Sequence, residues 1–285
     1  MTRYLSFFIG IFMGLVAQFT YAADLFPKGA SRSFQRLDTL EAGATIGGYA
    51  IYQGGRDWRT LDIQDQSNNL NIRIGSAQFV SPLGNNFFAE MRIVASLTGA
   101  EENGYFAADV CSPAKEHLFV SKRMAGTMDN CLTIDPYPAN VGGSNIMTLV
   151  VHIRNSQSNW RLYDTTLHLN LAYLGYPNTT PSDWSSAAVA NDAEKKKFVE
   201  KVGNWAKQLQ DGVNTAIGYR KPQDAFASVP PLSSLMVLDE AALKAQAQGT
   251  FPFVAKNTQS RNAGSSYVFC ESSKTMVLEG SQDCP

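Results

Sequence analysis

The sequence has few charged residues and no excess of either sign. Charged residues make up 17% of the chain, and 24 basic side chains stand against 25 acidic ones. A nucleic-acid-binding protein normally carries a concentrated basic patch, which this sequence lacks. The hydrophobic fraction of 44% is that of an ordinary globular core. We therefore expect a folded globular protein with no nucleic-acid partner.

The short motifs of common catalytic sites are also missing. The sequence contains no G-x-S-x-G, no H-E-x-x-H and no P-loop. It has no C-x-x-C of the kind that zinc sites and redox centres use. We predict no cofactor and no metal, and a non-enzymatic binding or scaffolding role. A hydrolase with an unrecognised active site and a metal- or ion-binding module are the alternatives.

Residues 1–22 have the features of a cleaved signal peptide. Arg3 precedes an apolar run from Leu5 to Phe19, and the small residues Thr20 and Ala22 precede the expected cleavage point. The apolar run is shorter than the roughly 20 residues that a membrane-spanning helix needs. We therefore predict an exported protein, periplasmic or secreted, with no transmembrane segment after signal cleavage.

Four cysteines lie beyond the predicted signal peptide. An even number of cysteines in an oxidising compartment favours disulfides over free thiols. We predict the pairs Cys111–Cys131 and Cys270–Cys284, because each pair brackets a short local segment. Two β-prone runs flank residues 271–274, which predicts a C-terminal hairpin that the second disulfide would clasp.

The chain divides into regions of different pattern. Residues 23–44 are polar and aperiodic, which predicts a loosely held N-terminal arm. Apolar and polar residues alternate through much of 45–180, which is typical of an antiparallel sheet with one buried face. We expect a sandwich or a partly closed barrel in this region. The alternation changes phase at Gly75 and Ser76, which predicts a β-bulge there.

The region 181–250 has helical signals. Thr180, Pro181 and Asp183 form a helix-start signal, and a second one lies at 191–192. An apolar stripe then recurs every three or four residues and predicts an amphipathic helix of about 28 residues; it consists of Phe198, Val202, Trp205, Leu209, Val213 and Ile217. A shorter helix is predicted at 238–248. The overall prediction is an α+β fold in which these helices cover the sheet and 251–285 forms the C-terminal hairpin.

Two of the three histidines fall on the polar side of predicted strands. If their strands pair around a loop centred on Trp160, with His152 opposite His168, the two rings could bind a metal. The alternative is that both are solvated side chains on a wet face. His117, beside Glu116, is expected to be exposed. Residues 62–69 are rich in oxygen ligands that suit calcium, but the same residue types form turns, and we predict a turn.

The polar side of the predicted sheet is the candidate ligand-binding surface. Three arginines and two histidines share it if the strands belong to one sheet; they are Arg73, Arg92, Arg154, His152 and His168. Such a surface suits an anionic ligand or an acidic protein partner. Because histidine gains charge as the pH falls toward 6, we expect tighter binding at mildly acidic pH. The alternative is a solvent-facing sheet whose charges prevent aggregation.

Overall fold

The structure is a computed structural model that describes residues 24–26, 37–67, 73–83, 86–97, 111, 116–125, 128–141, 144–157, 161–177, 179–218, 224–236, 267–270 and 275–278. Its main element is an antiparallel sheet of seven strands, with few helices. The predicted signal peptide at 1–22 and the predicted helix at 238–248 lie outside the described residues.

The strands and helices of the described residues follow one another in a simple order. The strands are β1 (Thr45–Ile46), β2 (Tyr49–Ala50), β3 (Arg59–Ser67), β4 (Arg73–Leu83), β5 (Asn86–Ser96), β6 (Phe119–Ala125), β7 (Met128–Val141), β8 (Ser144–Gln157), β9 (Arg161–Asn170), β10 (Tyr267–Cys270) and β11 (Thr275–Leu278). The helices are α1 (Ser186–Ala190) and α2 (Ala193–Gly218), and single 3₁₀ turns cover Leu171–Leu174, Pro181–Trp184 and Leu232–Leu235.

The large sheet joins two meanders. Its strand order is β3-β4-β5-β9-β8-β7-β6, so β3 to β5 form one meander and β6 to β9 form another. The two meanders pair through β5 and β9, with Met91 opposite Leu167. Two smaller antiparallel pairs, β1 with β2 and β10 with β11, complete the described strands. The antiparallel sheet predicted from the alternation is therefore confirmed.

The two faces of the sheet differ in composition. One face, which we call the apolar face, carries buried side chains such as Phe79, Met91, Ile153 and Leu167. The opposite face, which we call the polar face, carries the side chains of the residues that alternate with these along the same strands. Its central members are Gln78, Glu90, Arg92, His152, Thr166 and His168.

The predicted bulge at Gly75 and Ser76 is wrong. The ladders from β4 to β3 and to β5 run without a shift through both residues. Gly75 is required by packing instead, because a Cβ there would lie 2.6 Å from the Leu97 side chain and 2.7 Å from the Phe26 ring. Glycine at this strand position permits a close approach of neighbouring side chains.

The helix α2 packs its apolar stripe into the core of the apolar face. The predicted stripe residues are all buried, and Trp205 and Phe198 share one apolar cluster with the strands. Asp192 caps the start of α2, where its Oδ1 accepts hydrogen bonds from the N–H groups of Glu194 and Lys195 at 3.1 and 3.0 Å. Gly203 lets the Phe119 ring pack directly on the helix backbone.

The N-terminal arm is held more tightly than its polar composition predicts. Leu25 and Phe26 are buried in the main apolar cluster. The Asp24 carboxylate accepts hydrogen bonds from the N–H groups of Gly47 and Gly48, at 3.1 and 2.8 Å. These contacts tie the described residues of the arm to the β1–β2 turn, so the expectation of a loose arm is wrong there.

Strand β7 extends beyond its outer neighbour. Strand β6 pairs with β7 only as far as Ile134, while β8 pairs with β7 up to Val141. Pro136 and Pro138 lie in this extension. The Tyr137 carbonyl accepts a hydrogen bond from the side-chain hydroxyl of Thr148 on β8 at 2.9 Å, so this carbonyl points toward β8. Because the backbone alternates, the two proline nitrogens point away from β8. Proline is tolerated at such edge positions because it has no N–H to donate.

One predicted disulfide is confirmed and the other is not described. Cys111 and Cys131 are linked, with their Cα atoms 5.8 Å apart. Strands β10 and β11 form the predicted C-terminal hairpin, with Cys270 opposite Thr275. Cys284 lies outside the described residues, so the Cys270–Cys284 pair stays a prediction.

Candidate functional site

The polar face is built from rows of side chains that cross neighbouring strands. The central row runs from β7 to β4 through Thr133, His152, Thr166, Arg92 and Gln78. The next row toward Asn170 carries His168 and Glu90, and the next row on the other side carries Arg154 and Asp164. Directly paired residues of antiparallel strands have Cβ atoms about 4.5–5.5 Å apart, so these side chains form one connected surface.

Arg73 does not belong to this surface. The prediction placed it there because a bulge at Gly75 would have reversed the faces of β4. With a regular ladder, Arg73 has the parity of Gly75, Ala77 and Phe79, on the apolar side. Its guanidinium pairs there with the Asp65 carboxylate. Arg92, His152, Arg154 and His168 are on the polar face, as predicted.

Arg154 is on the predicted face, but it is buried rather than exposed. Only 1% of its side chain is accessible, and its Nη1 lies 3.9 Å from Oδ2 of Asp164, whose side chain is 6% accessible. Cys131 of the disulfide lies opposite Arg154 in the ladder. Because both groups of this ion pair are buried, the pair has a structural role below the surface of the polar face. The expectation of an accessible Arg154 is wrong.

His152 is held by the same carboxylate. Its Nε2 lies 2.8 Å from Oδ1 of Asp164, and its side chain is 22% accessible. The strands β8 and β9 pair antiparallel as expected, but His152 lies opposite Thr166 and His168 lies opposite Val150. The two imidazoles are therefore not the direct cross-strand pair that the metal alternative assumed. The carboxylate fixes the orientation of the His152 ring, and the second ring nitrogen is left for other contacts.

His168 lies in a drier environment than the sequence suggests. Its Nδ1 is 3.3 Å from the Thr148 hydroxyl, and its ring packs edge to face against Tyr137, with centroids 5.5 Å apart. Burial lowers the pKa of His168 below the ordinary 6.5, Glu90 opposes this shift, and His152 adds to it. This shift favours the neutral ring and so works against the expected gain of charge at mildly acidic pH.

Two further pairs order the β4–β5 side of the face. The Gln78 amide donates a hydrogen bond to the Glu90 carboxylate, and Arg92 Nε lies 3.4 Å from the Ser76 hydroxyl. Glu90 is directly opposite His168 across the β5–β9 ladder. The half-buried polar groups of this face thus have partners in the protein, and each keeps part of its surface open.

The charges of the polar face balance. Among the described side chains at its ladder positions, four are acidic and four are basic, namely Asp62, Glu90, Asp135 and Asp164 against Arg59, Arg92, Lys122 and Arg154. A strong site for an anion normally presents an excess of positive charge. This surface is polar and ordered, but it is not a cationic patch.

Several residues of the face were missed by the sequence reading. Asp135 and Tyr137 were not identified because β7 contains two prolines and was not predicted as a strand. His117 was predicted to be exposed, yet its side chain is only 6% accessible and its Nδ1 lies 2.8 Å from Asp135. The alternation of Thr133, Asp135 and Tyr137 with Leu132 and Ile134 is the signal that could have revealed this strand.

The oxygen-rich segment at 62–69 is not a turn where it is described. Residues 62–67 belong to β3, and Asp62 accepts a hydrogen bond from Gln64 at 2.7 Å. In the residues that the structure describes, no group of three or more histidine, cysteine, aspartate or glutamate side chains is arranged to hold a metal ion. Searched over the same residues, none of the helices has the length and apolar character to span a bilayer.

Comparison with known protein families, curated proteins and solved structures finds no match to this chain.

Proposed function

We propose that this protein is an exported, non-enzymatic binding protein whose ligand lies on the polar face of the sheet. The predicted signal segment at 1–22 supports export. The single observation that carries the binding proposal is the ordered network around His152, Asp164 and Arg154, whose two buried members hold the partly accessible His152 ring in place. A face that served only to prevent aggregation would not need its polar groups fixed in this way.

The accessible members of the network are the proposed ligand contacts. They are Arg92 on β5 and His152 on β8, which belong to the central row, and His168 on β9, which belongs to the next row. Arg154 and Asp164 are too buried to touch a ligand, so their proposed role is to hold His152 in place. Groups already fixed in the free protein lose little side-chain entropy on binding, which favours affinity.

The proposal includes the predicted organisation of the chain. The sheet region at 45–180 would form the scaffold, the helical region at 181–250 would cover its apolar face, and 251–285 would form a peripheral hairpin. The α2 side chains Trp205 and Phe198 in the main core support the second assignment. With the apolar face occupied by α2, the polar face is the part of the sheet left for a partner.

A ligand screen with matched variants tests the proposed site. Purified mature protein would be heated with a panel of neutral oligosaccharides, sulfated oligosaccharides and acidic peptides, and the melting temperature followed. A ligand present at 100 times its dissociation constant stabilises the folded state by about 2.7 kcal/mol. We expect at least one compound to raise the melting temperature, and the Arg92→Gln or His152→Ala variant to lose that rise.

The control for this screen is Lys201→Gln on the exposed side of α2. This variant should keep the full ligand-induced shift, because its side chain is remote from the polar face. Equal loss in all three variants, or equal retention, would contradict the proposed site. Fractionation of cells that express the full chain tests export, and retention of an uncleaved chain in the cytoplasm would contradict it.

A further inference from the structure

Tyr137 is the most open aromatic side chain described on the polar face. It lies within β7, yet 54% of it is accessible. Its ring is positioned against His168, with centroids 5.5 Å apart and planes at 80°. An aromatic ring has an apolar face and a polar hydroxyl, and such side chains supply a large contact area with little loss of rotamer freedom. Tyr137 therefore offers a partly preformed platform for a ligand.

Planar polar side chains extend from this platform across the sheet. Beyond His168 come the Glu90 carboxylate with its Gln78 amide partner, and then the Arg92 guanidinium. Such groups offer two donors or acceptors side by side in one plane. A sugar ring carries neighbouring hydroxyl groups that match paired donors and acceptors, and its C–H surface matches an aromatic ring.

The dimensions of the surface suit an extended ligand. Tyr137 is on β7 and Glu90 is on β5, which are three strand spacings apart in the sheet. At about 4.8 Å per spacing this is roughly 14 Å. A small ion or a single phosphate would contact only a fraction of this length. A short oligosaccharide lying across the strands would reach both ends.

The charges of the face argue against an anionic ligand. Arg154 is buried beside Asp164, and Glu90 lies opposite His168, whose neutral form is favoured by its burial. An acidic ligand would have to approach Glu90 and Asp135 on a face that has no excess of positive charge. An uncharged ligand rich in hydroxyl groups meets no such cost.

We infer that the ligand of the polar face is an uncharged oligosaccharide that packs on Tyr137 and hydrogen bonds to Glu90, Arg92 and His168. This inference rests on the proposed binding function of the same face and narrows it to one ligand class. It also revises the expectation of an anionic ligand that the sequence alone suggested.

Titration calorimetry with defined oligosaccharides tests this inference. The probes are neutral hexamers of glucose, mannose and N-acetylglucosamine, with hexagalacturonate and a heparin hexasaccharide as charged counterparts. We expect at least one neutral hexamer to bind, and Tyr137→Ala to weaken it by about tenfold or more. Tyr137→Phe should retain most of the affinity because it keeps the ring, and Glu90→Gln should weaken binding.

The control is Val120→Ala, which changes another exposed apolar side chain of the same face. Its affinity should equal that of the unmodified chain, and circular dichroism should show that each variant is folded. Binding of charged hexamers alone, lost in Arg92→Gln, would overturn the inference while the proposed function stands. Neutral-hexamer binding that survives Tyr137→Ala, Glu90→Gln and Arg92→Gln would overturn both. Failure of every neutral hexamer to bind would also overturn the inference.

Discussion

The two faces of the seven-stranded sheet are made by alternate residues of the same strands, and they are organised differently. On the apolar face, Phe79, Ile153 and Leu167 belong to one apolar cluster with side chains of α2. On the polar face, neighbours such as His152 and Asp164 are matched in pairs by hydrogen bonds or ion pairs. The order of the apolar face depends on how its side chains fill the available volume. The order of the polar face depends on each polar group having a hydrogen-bonding or ionic partner.

This difference explains how one sheet can be both a scaffold and a candidate binding surface. The apolar face stabilises the fold by removing hydrocarbon from water, and a similar apolar side chain can often replace another there. The polar face gains less net stability from its pairs, because they replace hydrogen bonds to water. Its residue types are therefore informative about function, while those of the apolar face are informative about packing.

The largest effect is expected at the buried pair of the polar face. Asp164→Asn removes the charge that faces Arg154 and weakens the hydrogen bond to His152. Removing one partner of a buried ion pair leaves the other charge uncompensated, so the free energy of unfolding should fall by about 4 kcal/mol. Urea unfolding measures this change.

Asp62→Asn is the matched control for this variant, since Asp62 occupies a more accessible position on the same face, on β3. Its cost should be below about 1 kcal/mol. If the two variants proved equally mild, the Asp164 network would not be the organising feature of the polar face.

A somewhat smaller effect is expected on the apolar face. Ile153 is fully buried between His152 and Arg154 in β8. Ile153→Ala should lower the free energy of unfolding by about 3 kcal/mol, through lost apolar contact and the cavity that remains. Thermal or urea unfolding gives the value, and Ile153→Leu should cost less than about 1.5 kcal/mol because it conserves volume. A cost as large for leucine as for alanine would mean that shape, rather than volume, governs this face.

The smallest effect concerns pH. Because burial lowers the pKa of His168 in the folded state below 6.5, the unfolded chain binds this proton more readily. The stability that the neutral ring provides is fully present above about pH 6.5 and is lost as the pH falls below it. In His168→Gln, the free energy of unfolding should therefore decrease less between pH 7 and pH 5 than in the unmodified chain.

His117→Gln is the comparison for the pH experiment, since His117 is also buried but lies beside Asp135 at the β7 edge. The pH profile of the unmodified chain and of both variants would be measured by urea unfolding under identical salt. A profile in His168→Gln that matches the unmodified chain would contradict the lowered pKa of His168, because it would mean that folding does not change the proton affinity of this ring.

Among the described residues, the helices and strands that show a long, regular repeat of apolar residues in the sequence were predicted correctly. The α2 stripe from Phe198 to Ile217 and the alternation around Ile153 repeat over many residues, so both were predicted correctly. Strand β7 was missed, because Pro136 and Pro138 are usual signs of a turn. Its long pairing with β8 outweighs this local preference.

The candidate site was predicted only in part, and the reason is register. Parity placed Arg92, His152, Arg154 and His168 on one face, and that assignment is correct. The position of a residue in the alternation shows which face of the sheet it lies on, but not how deeply its side chain is buried. The burial of Arg154 was therefore not foreseen. A single assumed bulge at Gly75 was enough to move Arg73 to the wrong face, because one residue of slip reverses every side chain of a strand.

The two prolines of β7 also bear on how the molecule meets other protein chains. The outer edge of β7 beyond Ile134 has no partner among the described strands. An incoming strand would find carbonyl oxygens at Pro136 and Pro138 but no N–H group to pair with. A foreign strand added to this edge would have carbonyl oxygens without donors opposite the two prolines, so the sheet cannot readily serve as a template for aggregation there.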